Sequence, residues 1–382
     1  MFKDLNWSIP YDVSSTNGSS PICSNCRAFR AELRKPGFDR RYRVKDLGIR
    51  ASTGQCALCG LLWRSCKRTG AIDLQEVRFY REGAFVKMEN AHNAVLSLVV
   101  TPESSLSTIG DCQYGFVELP KAGSPTHLGV IRSWLQVCDE SHHCKPPLST
   151  KSSTTMQSAL SSSSQAVPPP TRLLFLGSGD DDKIFLQETE SEVPGGWVAL
   201  SHKWGTRNFR TTVRNVEEHK SGMSINTLPA TFRDVIIVTR ALKKQNLWID
   251  SLCIIQGKKG DFQKEATRMA DVYSGAYCVV AASCADNHFD GFLKSRAARD
   301  YVTIPDEGSD QAAYHICETI NNFKRHVLDG SLSLRGWVLQ EHALARRTLF
   351  FTEHQTYFEC KLGVKCETST RLKKYSYTIS LV

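Results

Sequence analysis

The chain has 382 residues, of which 41% are hydrophobic and 23% charged, and its formal net charge is +9. These values are close to globular averages and exclude a wholly disordered, collagen-like or coiled-coil chain. No apolar run reaches the ~18–20 residues of a membrane-spanning helix, and the N-terminus lacks the apolar core of a signal peptide. We therefore expect a cytoplasmic protein without a membrane span.

Residues 1–145 are rich in cysteine and predict a smaller α+β module. The predicted elements are a helix that begins at Leu58, strands over Val77–Val86 and Ala94–Val100, and an amphipathic helix over Leu128–Val137. Between Arg27 and Arg50, nine Lys and Arg residues stand against three acidic ones. Such an excess is typical of a solvated basic face, and it leaves open a contact with nucleic acid or an acidic partner.

Two Cys-x-x-Cys pairs in this module predict a structural zinc site. They are Cys23 with Cys26 and Cys56 with Cys59, separated by 29 residues. Two such turns can supply the four thiolates of a tetrahedral zinc ion. The separation exceeds the ~15–20 residues of compact zinc ribbons, so free cysteines in a small core remain the alternative. Further candidate ligands are Cys66, Cys138, His142, His143 and Cys144.

Residues 146–170 are dense in Ser, Thr and Pro and poor in large apolar side chains. Such a composition buries too little surface to offset the entropy lost on ordering. We interpret this stretch as a flexible linker between the Cys-rich module and a second domain over residues 171–382.

The second domain alternates between predicted strands and helices. The predicted strands are Arg172–Leu176, Lys183–Glu188, Trp197–Ser201, Leu247–Ile255, Cys278–Ala282, Thr348–Thr352 and Thr356–Cys360. The predicted helices are Pro229–Lys244, the segment from Asp261 to Tyr273, and Leu334–Leu344. Uniformly apolar strands separated by helices are typical of a sheet covered on both faces. The sequence therefore predicts an α/β fold with a mostly parallel sheet and flanking helices.

Five sequence blocks in this domain carry a resemblance to a known family. They are Trp197–Gly205 (WVALSHKWG), Leu228–Asp234 (LPATFRD), Leu247–Gln256, Ala276–Gly291 and Leu334–Glu341. In this order they resemble the fungal heterokaryon incompatibility (HET) domain, with a core over about residues 195–360. One departure is His202-Lys203, where the family more often has Tyr or His followed by Cys. The resemblance implies a factor of fungal self/non-self recognition that triggers programmed cell death.

The HET domain is considered a distant relative of the Toll/interleukin-1 receptor (TIR) domain, a flavodoxin-like α/β fold of innate immunity. The resemblance thus implies a TIR/flavodoxin-like sheet. Some TIR domains cleave NAD with a glutamate in a Trp-x-x-x-Glu pattern, and Trp337 and Glu341 reproduce that spacing. By this resemblance, Glu341 is the candidate catalytic residue and NAD is a candidate substrate.

Cleavage of the nicotinamide–ribose bond needs a carboxylate near the ribose and an aromatic surface for the nicotinamide. Parallel sheets place such sites beyond the carboxyl ends of their strands. We therefore expect one crevice that faces Glu341 and is lined by the candidate substrate-binding residues Ser201, His202, Trp204, Asp250 and Trp337.

Each candidate also has a structural interpretation. Glu341 can form a salt bridge with Arg335 or Arg346, and Asp250 can cap the loop after its strand. Tryptophan is more often part of a core than a surface for ligands.

These observations leave three functions open. The first is a signalling protein that acts by self-association and by recruiting other incompatibility proteins. The second is a TIR-like NAD glycohydrolase that uses Glu341. The third is a zinc-containing nucleic-acid-binding regulator, but the sequence has no recognisable recognition helix or RNA-binding motif. We expect the first function, with proteins rather than nucleic acid as partners.

Overall fold

A computed structural model describes the parts of the chain given by residues 21–33, 37–100, 112–142, 144, 167–177, 179, 181–189, 193–206, 209–305, 312–334 and 341–372. The helices are α1 (Ser24–Leu33), α2 (Val44–Ser52), α3 (Ala57–Thr69), α4 (Pro125–Ser141), α5 (Val216–Ser221), α6 (Ala230–Ala241), α7 (Asp250–Cys253), α8 (Phe262–Ala266) and α9 (Met269–Gly275). Short 3-10 segments cover Ala71–Asp73 and Ile225–Thr227, and a π-helical segment covers Lys324–Leu328. Within these described ranges no helix combines the length and apolarity that a membrane crossing requires.

The strands form two sheets. They are β1 (Asp39–Arg43), β2 (Glu76–Glu82), β3 (Phe85–Met88), β4 (Leu96–Val100), β5 (Gln113–Tyr114), β6 (Arg172–Phe175), β7 (Lys183–Glu188), β8 (Val198–Ser201), β9 (Met223–Ser224), β10 (Asn246–Trp248), β11 (Cys278–Ala281), β12 (Tyr301–Pro305), β13 (Ala312–Glu318), β14 (Arg347–Phe351), β15 (Thr356–Cys360), β16 (Gly363–Cys366) and β17 (Ser369–Leu372). The first sheet has the order β1-β2-β3-β4-β13-β12, with β5 paired to β4. The second has the order β17-β16-β15-β14-β11-β8-β10-β6-β7-β9.

The prediction of a mostly parallel, TIR/flavodoxin-like sheet is wrong. In the second sheet only the four central strands β14, β11, β8 and β10 run parallel to one another. The outer strands on both sides pair antiparallel, and the first sheet is antiparallel except for β4 with β5. Most outer strands are joined by short turns, whereas a parallel neighbour needs a crossover of about a dozen residues or more.

Local signals explain the central elements. β8 and β11 are buried along their whole length, which suits the middle of a sheet covered on both faces. The predicted helix Pro229–Lys244 is α6, and it ends early because Lys243 takes a left-handed conformation with φ of 57°. The Lys244 amide then donates to the Thr239 carbonyl at 3.1 Å, which closes the helix end.

The predicted strand Leu247–Ile255 is only partly a strand. β10 ends at Trp248, and α7 begins at Asp250, whose side chain accepts a hydrogen bond from the Ser251 amide at 2.7 Å. A short apolar run does not by itself distinguish a buried strand from a buried helical turn.

Strands β12 and β13, from the C-terminal half of the chain, complete the first sheet. β13 pairs antiparallel with β4. Arg299, just before β12, donates to the Ser97 hydroxyl at 2.8 Å and to the Phe116 carbonyl at 2.7 Å. The two predicted domains therefore share a sheet, while most of the predicted linker, residues 146–166, lies outside the described residues.

Candidate functional site

The carboxyl ends of β8 and β11 meet where the strand order reverses. Along the chain the parallel strands follow as β8, β10, β11 and β14, but in the sheet β8 lies between β10 and β11. In open α/β sheets, ligands bind in the crevice that such a reversal opens beyond the strand ends. Ser201 is the last residue of β8 and Ala281 the last of β11. This edge is the candidate site.

Ser201 and Glu341 share a narrow cavity at this edge. The Ser201 hydroxyl donates a hydrogen bond to Oε2 of Glu341, and Glu341 is only 7% exposed. Alternate residues of β11 and β14 form one wall, because alternate side chains of a strand share a face. The other lining residues are Val279, Ala281, Ser283, Leu332, Ser333, His342, Thr348 and Phe350.

This cavity is small. Its free volume is about 10 Å³, which is about the space that one water molecule needs. A ribose-sized group could enter only if the side chains around Ser201 and Glu341 moved apart. His342 also lines it, with Nε2 2.5 Å from Oε2 of Glu359, an interaction that orients the ring. A carboxylate in such a place can stabilise a developing positive charge.

The residues after β8 belong to a second polar group. The Trp204 indole N–H donates to Oδ2 of Asp250 at 2.8 Å, and Nδ1 of His202 lies 3.9 Å from Oδ1 of Asp250. The ring of His288 lies 4.8 Å from that of His202 and 6.0 Å from that of Trp204, between centroids. Phe232 of α6 packs on both imidazoles, at 5.4 and 4.9 Å.

The predicted site residues thus fall into two groups. Ser201 contacts Glu341, whereas His202 and Trp204 surround Asp250. Neighbouring side chains at the end of an extended strand point in opposite directions, which separates Ser201 from His202. Trp337 and Arg335 lie outside the described residues. A single crevice for all the candidate residues stays a prediction.

Two residues of this edge were missed from the sequence. His288 joins the group around Asp250, and Lys203 binds Oδ1 of Asp286 at 2.7 Å and the hydroxyl of Ser331 at 2.5 Å. Asp286 and His288 lie in the fourth sequence block, Ala276–Gly291. Their position in this block is the sequence signal that could have identified them as site residues. No spacing rule, however, predicts that this block lies beside the residues after β8.

The four predicted zinc ligands meet at the N-termini of α1 and α3. Cys23 directly precedes α1, and Cys56 is the N-cap of α3, where its sulfur accepts a hydrogen bond from the Cys59 amide at 3.4 Å. The Sγ atoms of Cys26 and Cys59 are 3.4 Å apart, and those of Cys23 and Cys59 are 3.7 Å apart. All four sulfurs lie within 4.8 Å of one another.

This sulfur cluster can bind a metal ion. Four sulfurs about 2.3 Å from a central zinc ion are ~3.8 Å apart in a tetrahedron, close to the observed separations. Helix N-termini favour thiolates, and a hydrogen bond with the Cys26 thiol lowers the pKa of Cys59 to about 5. The nearby Arg50 guanidinium also lowers the pKa of Cys59. Three of the four cysteines are buried, as in structural rather than catalytic sites.

Together, these features define an α/β protein with a buried serine–carboxylate pair at the ends of its parallel strands and a four-cysteine cluster in its first half. Residues 197–341 match the family model described as Heterokaryon incompatibility protein (HET). The match begins at the first residue of the first block and ends at Glu341, so the predicted resemblance is confirmed. The chain carries a HET domain over these residues, which indicates a function related to heterokaryon incompatibility. No curated protein and no solved structure matches the chain.

Proposed function

We propose that the protein is a cytoplasmic signalling factor of fungal self/non-self recognition that leads to programmed cell death. It acts by self-association and by recruiting other incompatibility proteins. The HET domain over residues 197–341 supports this proposal.

One observation favours recruitment over chemistry as the main activity. Three polar pairs connect residues of different HET blocks: Ser201 with Glu341, Trp204 with Asp250, and Lys203 with Asp286. Glu341 is almost fully buried, and a ligand would have to replace its contact with Ser201. Such hydrogen bonds hold the segments at the ends of the parallel strands in one arrangement. A recruitment domain requires a surface of fixed shape of this kind.

The test is inducible expression of the full chain in a filamentous fungus, with growth and dye exclusion as readouts. We expect growth arrest from the parent and from Glu341→Gln, whose amide oxygen can still accept the Ser201 hydrogen bond. The matched control Glu217→Gln changes a carboxylate that is 81% exposed and should also cause arrest. Trp204→Ala removes the partner of Asp250 and should abolish the effect.

Self-association is measured separately on the purified chain. The sedimentation coefficient of the parent should rise with concentration, and Trp204→Ala should reduce this rise while leaving the circular dichroism spectrum unchanged. Normal growth during expression of the parent, or a monomer at every concentration, would contradict the proposal.

A second candidate function is NAD cleavage by Glu341. The observation that favours it is the position of this carboxylate, beside a serine hydroxyl in a cavity at the carboxyl ends of β8 and β11. There it could contact ribose hydroxyls and stabilise oxocarbenium-like charge as the nicotinamide leaves. The cavity has space for about one water molecule, so the ribose would enter only after the contact between Ser201 and Glu341 opens.

NAD consumption by purified protein, artificially clustered, separates the two functions. If the protein is an enzyme, the parent consumes NAD and Glu341→Gln does not, with an unchanged circular dichroism spectrum. In that case expression of Glu341→Gln should no longer arrest growth, whereas recruitment predicts that this variant arrests growth as the parent does. No consumption by the clustered parent would exclude the enzyme.

We further propose that Cys23, Cys26, Cys56 and Cys59 hold a structural zinc ion. The observed sulfur separations and the thiolate-stabilising helix ends support this assignment. Soft thiolate ligands favour zinc over magnesium or calcium. Zinc content of the chain purified without chelators should fall by one ion per chain in Cys59→Ser. An unchanged content would contradict the proposal.

A further inference from the structure

A second group of metal-ligand side chains lies where α4 meets β15. Cys138 is in the last turn of α4, His142 is the C-cap residue, and Cys144 follows two residues later. Cys360 is the last residue of β15. The sulfurs of the three cysteines lie within 4.8 Å of one another. Nδ1 of His142 lies 3.4 Å from Sγ of Cys360.

The three sulfurs are close enough for a tetrahedral site, and His142 is the neighbouring side chain that can supply a nitrogen as the fourth ligand. With Zn–S of about 2.3 Å and Zn–N of about 2.0–2.1 Å, a tetrahedron sets sulfur and nitrogen ~3.6 Å apart. The distance of 3.4 Å between Nδ1 of His142 and Sγ of Cys360 is close to this value. His142 does not lie within 4.8 Å of all three sulfurs, so its ring has to move toward the other two cysteines when the metal binds. Cys138 is 0% exposed, and Cys144 and Cys360 are 5% exposed. A site so enclosed keeps no open position for a substrate, as structural zinc sites do.

Other buried thiols of the same core are arranged differently. Cys253 and Cys278 are fully buried, and burial raises the pKa of each to about 12. In the described part of the chain, neither belongs to a group of three or more metal-ligand atoms. These two cysteines behave as small apolar side chains. Packing alone does not explain why three thiols and an imidazole lie together here. S–H is a weak hydrogen-bond donor, so contacts among these groups stabilise the core only slightly.

We infer that Cys138, His142, Cys144 and Cys360 bind a second structural zinc ion, which fastens α4 to β15. This ion joins His142 to a residue 218 positions further along the chain. It closes a loop that contains the whole HET domain, residues 197–341, so it stabilises the docking of the N-terminal region on the second sheet.

Neighbouring contacts hold α4 against β15 and against the adjoining part of the second sheet. The rings of Trp134 in α4 and Phe358 in β15 are stacked, with centroids 6.3 Å apart. Asp139 in α4 forms an ion pair with the buried Arg347 in β14 and accepts a hydrogen bond from the Tyr277 hydroxyl at 3.0 Å. The three cysteines are therefore held close together by packing that does not depend on the metal.

The first test is elemental analysis of the full chain purified under reducing conditions without chelators. We expect two zinc ions per chain in the parent and in the control Cys112→Ser, a half-buried cysteine outside both clusters. Cys360→Ser and Cys59→Ser should each retain one ion, and the double variant none. Zinc content in Cys360→Ser equal to the parent's would overturn the inference, whatever Cys59→Ser shows about the first cluster.

A second measurement needs no destabilising variant. X-ray absorption of the zinc-loaded parent should report about 3.5 sulfur ligands per ion, because seven sulfurs and one nitrogen are shared between two ions. A result of four sulfur ligands per zinc ion, together with one zinc ion per chain, would overturn the inference. His142→Cys should keep both ions and raise the sulfur count to four, whereas His142→Ala should lose one ion.

Discussion

The two cysteine clusters differ in what they join. The first, Cys23, Cys26, Cys56 and Cys59, connects the starts of two neighbouring helices, α1 and α3. The second, Cys138, His142, Cys144 and Cys360, connects a helix of the N-terminal region to a strand near the C-terminal end of the described chain. The first organises a local fold, and the second holds together parts that are distant in sequence.

This difference teaches how metal ligands can serve two purposes in one chain. A small helical region with a limited core gains its own stability from a local ion. A long-range ion instead restricts the relative movement of large segments, because its loop is long. The two clusters should therefore respond differently to the same perturbation.

Removal of both ions should have the largest effect. Apparent zinc-binding energies of ~10–16 kcal/mol in finger peptides compare with a total stability of ~5–15 kcal/mol for a typical domain. We expect a strong chelator to lower the melting temperature by more than ~10 °C, and added zinc to restore it. The measurement is thermal unfolding followed by circular dichroism, with zinc-saturated chelator as the control. An unchanged melting temperature would show that neither cluster depends on metal.

Single ligand variants should separate the clusters by location. In hydrogen exchange, Cys59→Ser should expose amides of α1 and α3, because the ion joins only these helices. Cys360→Ser should expose amides of α4 and β15 together, although they are distant in sequence. Cys112→Ser should leave both regions protected. Identical exchange maps for the two ligand variants would break the distinction between a local and a long-range cluster.

The ion pair beside the second cluster should be coupled to it. Asp139→Asn leaves the fully buried Arg347 guanidinium without its anion, which should cost about 3 kcal/mol of unfolding free energy. The neighbouring exposed Glu140→Gln should cost less than ~0.5 kcal/mol. In double-mutant cycles by urea unfolding, Asp139→Asn should be non-additive with Cys360→Ser and additive with Cys59→Ser. Additivity with both would mean that the ion pair and the second cluster are independent.

The smallest effect should come from charge around the first cluster. A zinc ion with four thiolates has a net charge of −2, and Arg50 lies beside Cys59. Arg50→Gln should weaken zinc binding about fivefold, about 1 kcal/mol, with less effect at high salt. Competition with a chromophoric chelator measures this change, and the exposed Arg43→Gln is the control. An equal loss of zinc from both clusters would argue against a local electrostatic cause.

Local signals made much of the fold predictable. β15 has the predicted bounds, and the predicted strands Arg172–Leu176 and Lys183–Glu188 are present as β6 and β7, which form an antiparallel pair. Sheet direction was not predictable in the same way. A uniformly apolar run indicates a strand that is buried on both faces, but it does not indicate the direction of the neighbouring strands. The place of β12 and β13 in the first sheet depends on pairing with β4, which is distant in sequence.

The site was predictable as a set of residues but not as an arrangement. The sequence blocks contain Ser201, Asp250 and Glu341. Ser201 lies at the end of β8, Asp250 lies just after β10, and Glu341 contacts Ser201. Their division into two groups depends on side-chain direction at the end of a strand. The four-cysteine cluster followed from Cys-x-x-Cys spacing, whereas no spacing rule connects Cys360 to the cysteines of α4.

The position of β13 has a consequence for the order in which the protein forms on the ribosome. β4 ends at Val100, but β13, its neighbour in the first sheet, begins at Ala312. At ~5–20 residues per second, the ~200 intervening residues take roughly 10–40 s to synthesise. During this interval the apolar β4 lacks its later partner and is a target for pairing with other nascent chains. Chaperone binding near β4 during translation would protect the growing chain until β13 arrives.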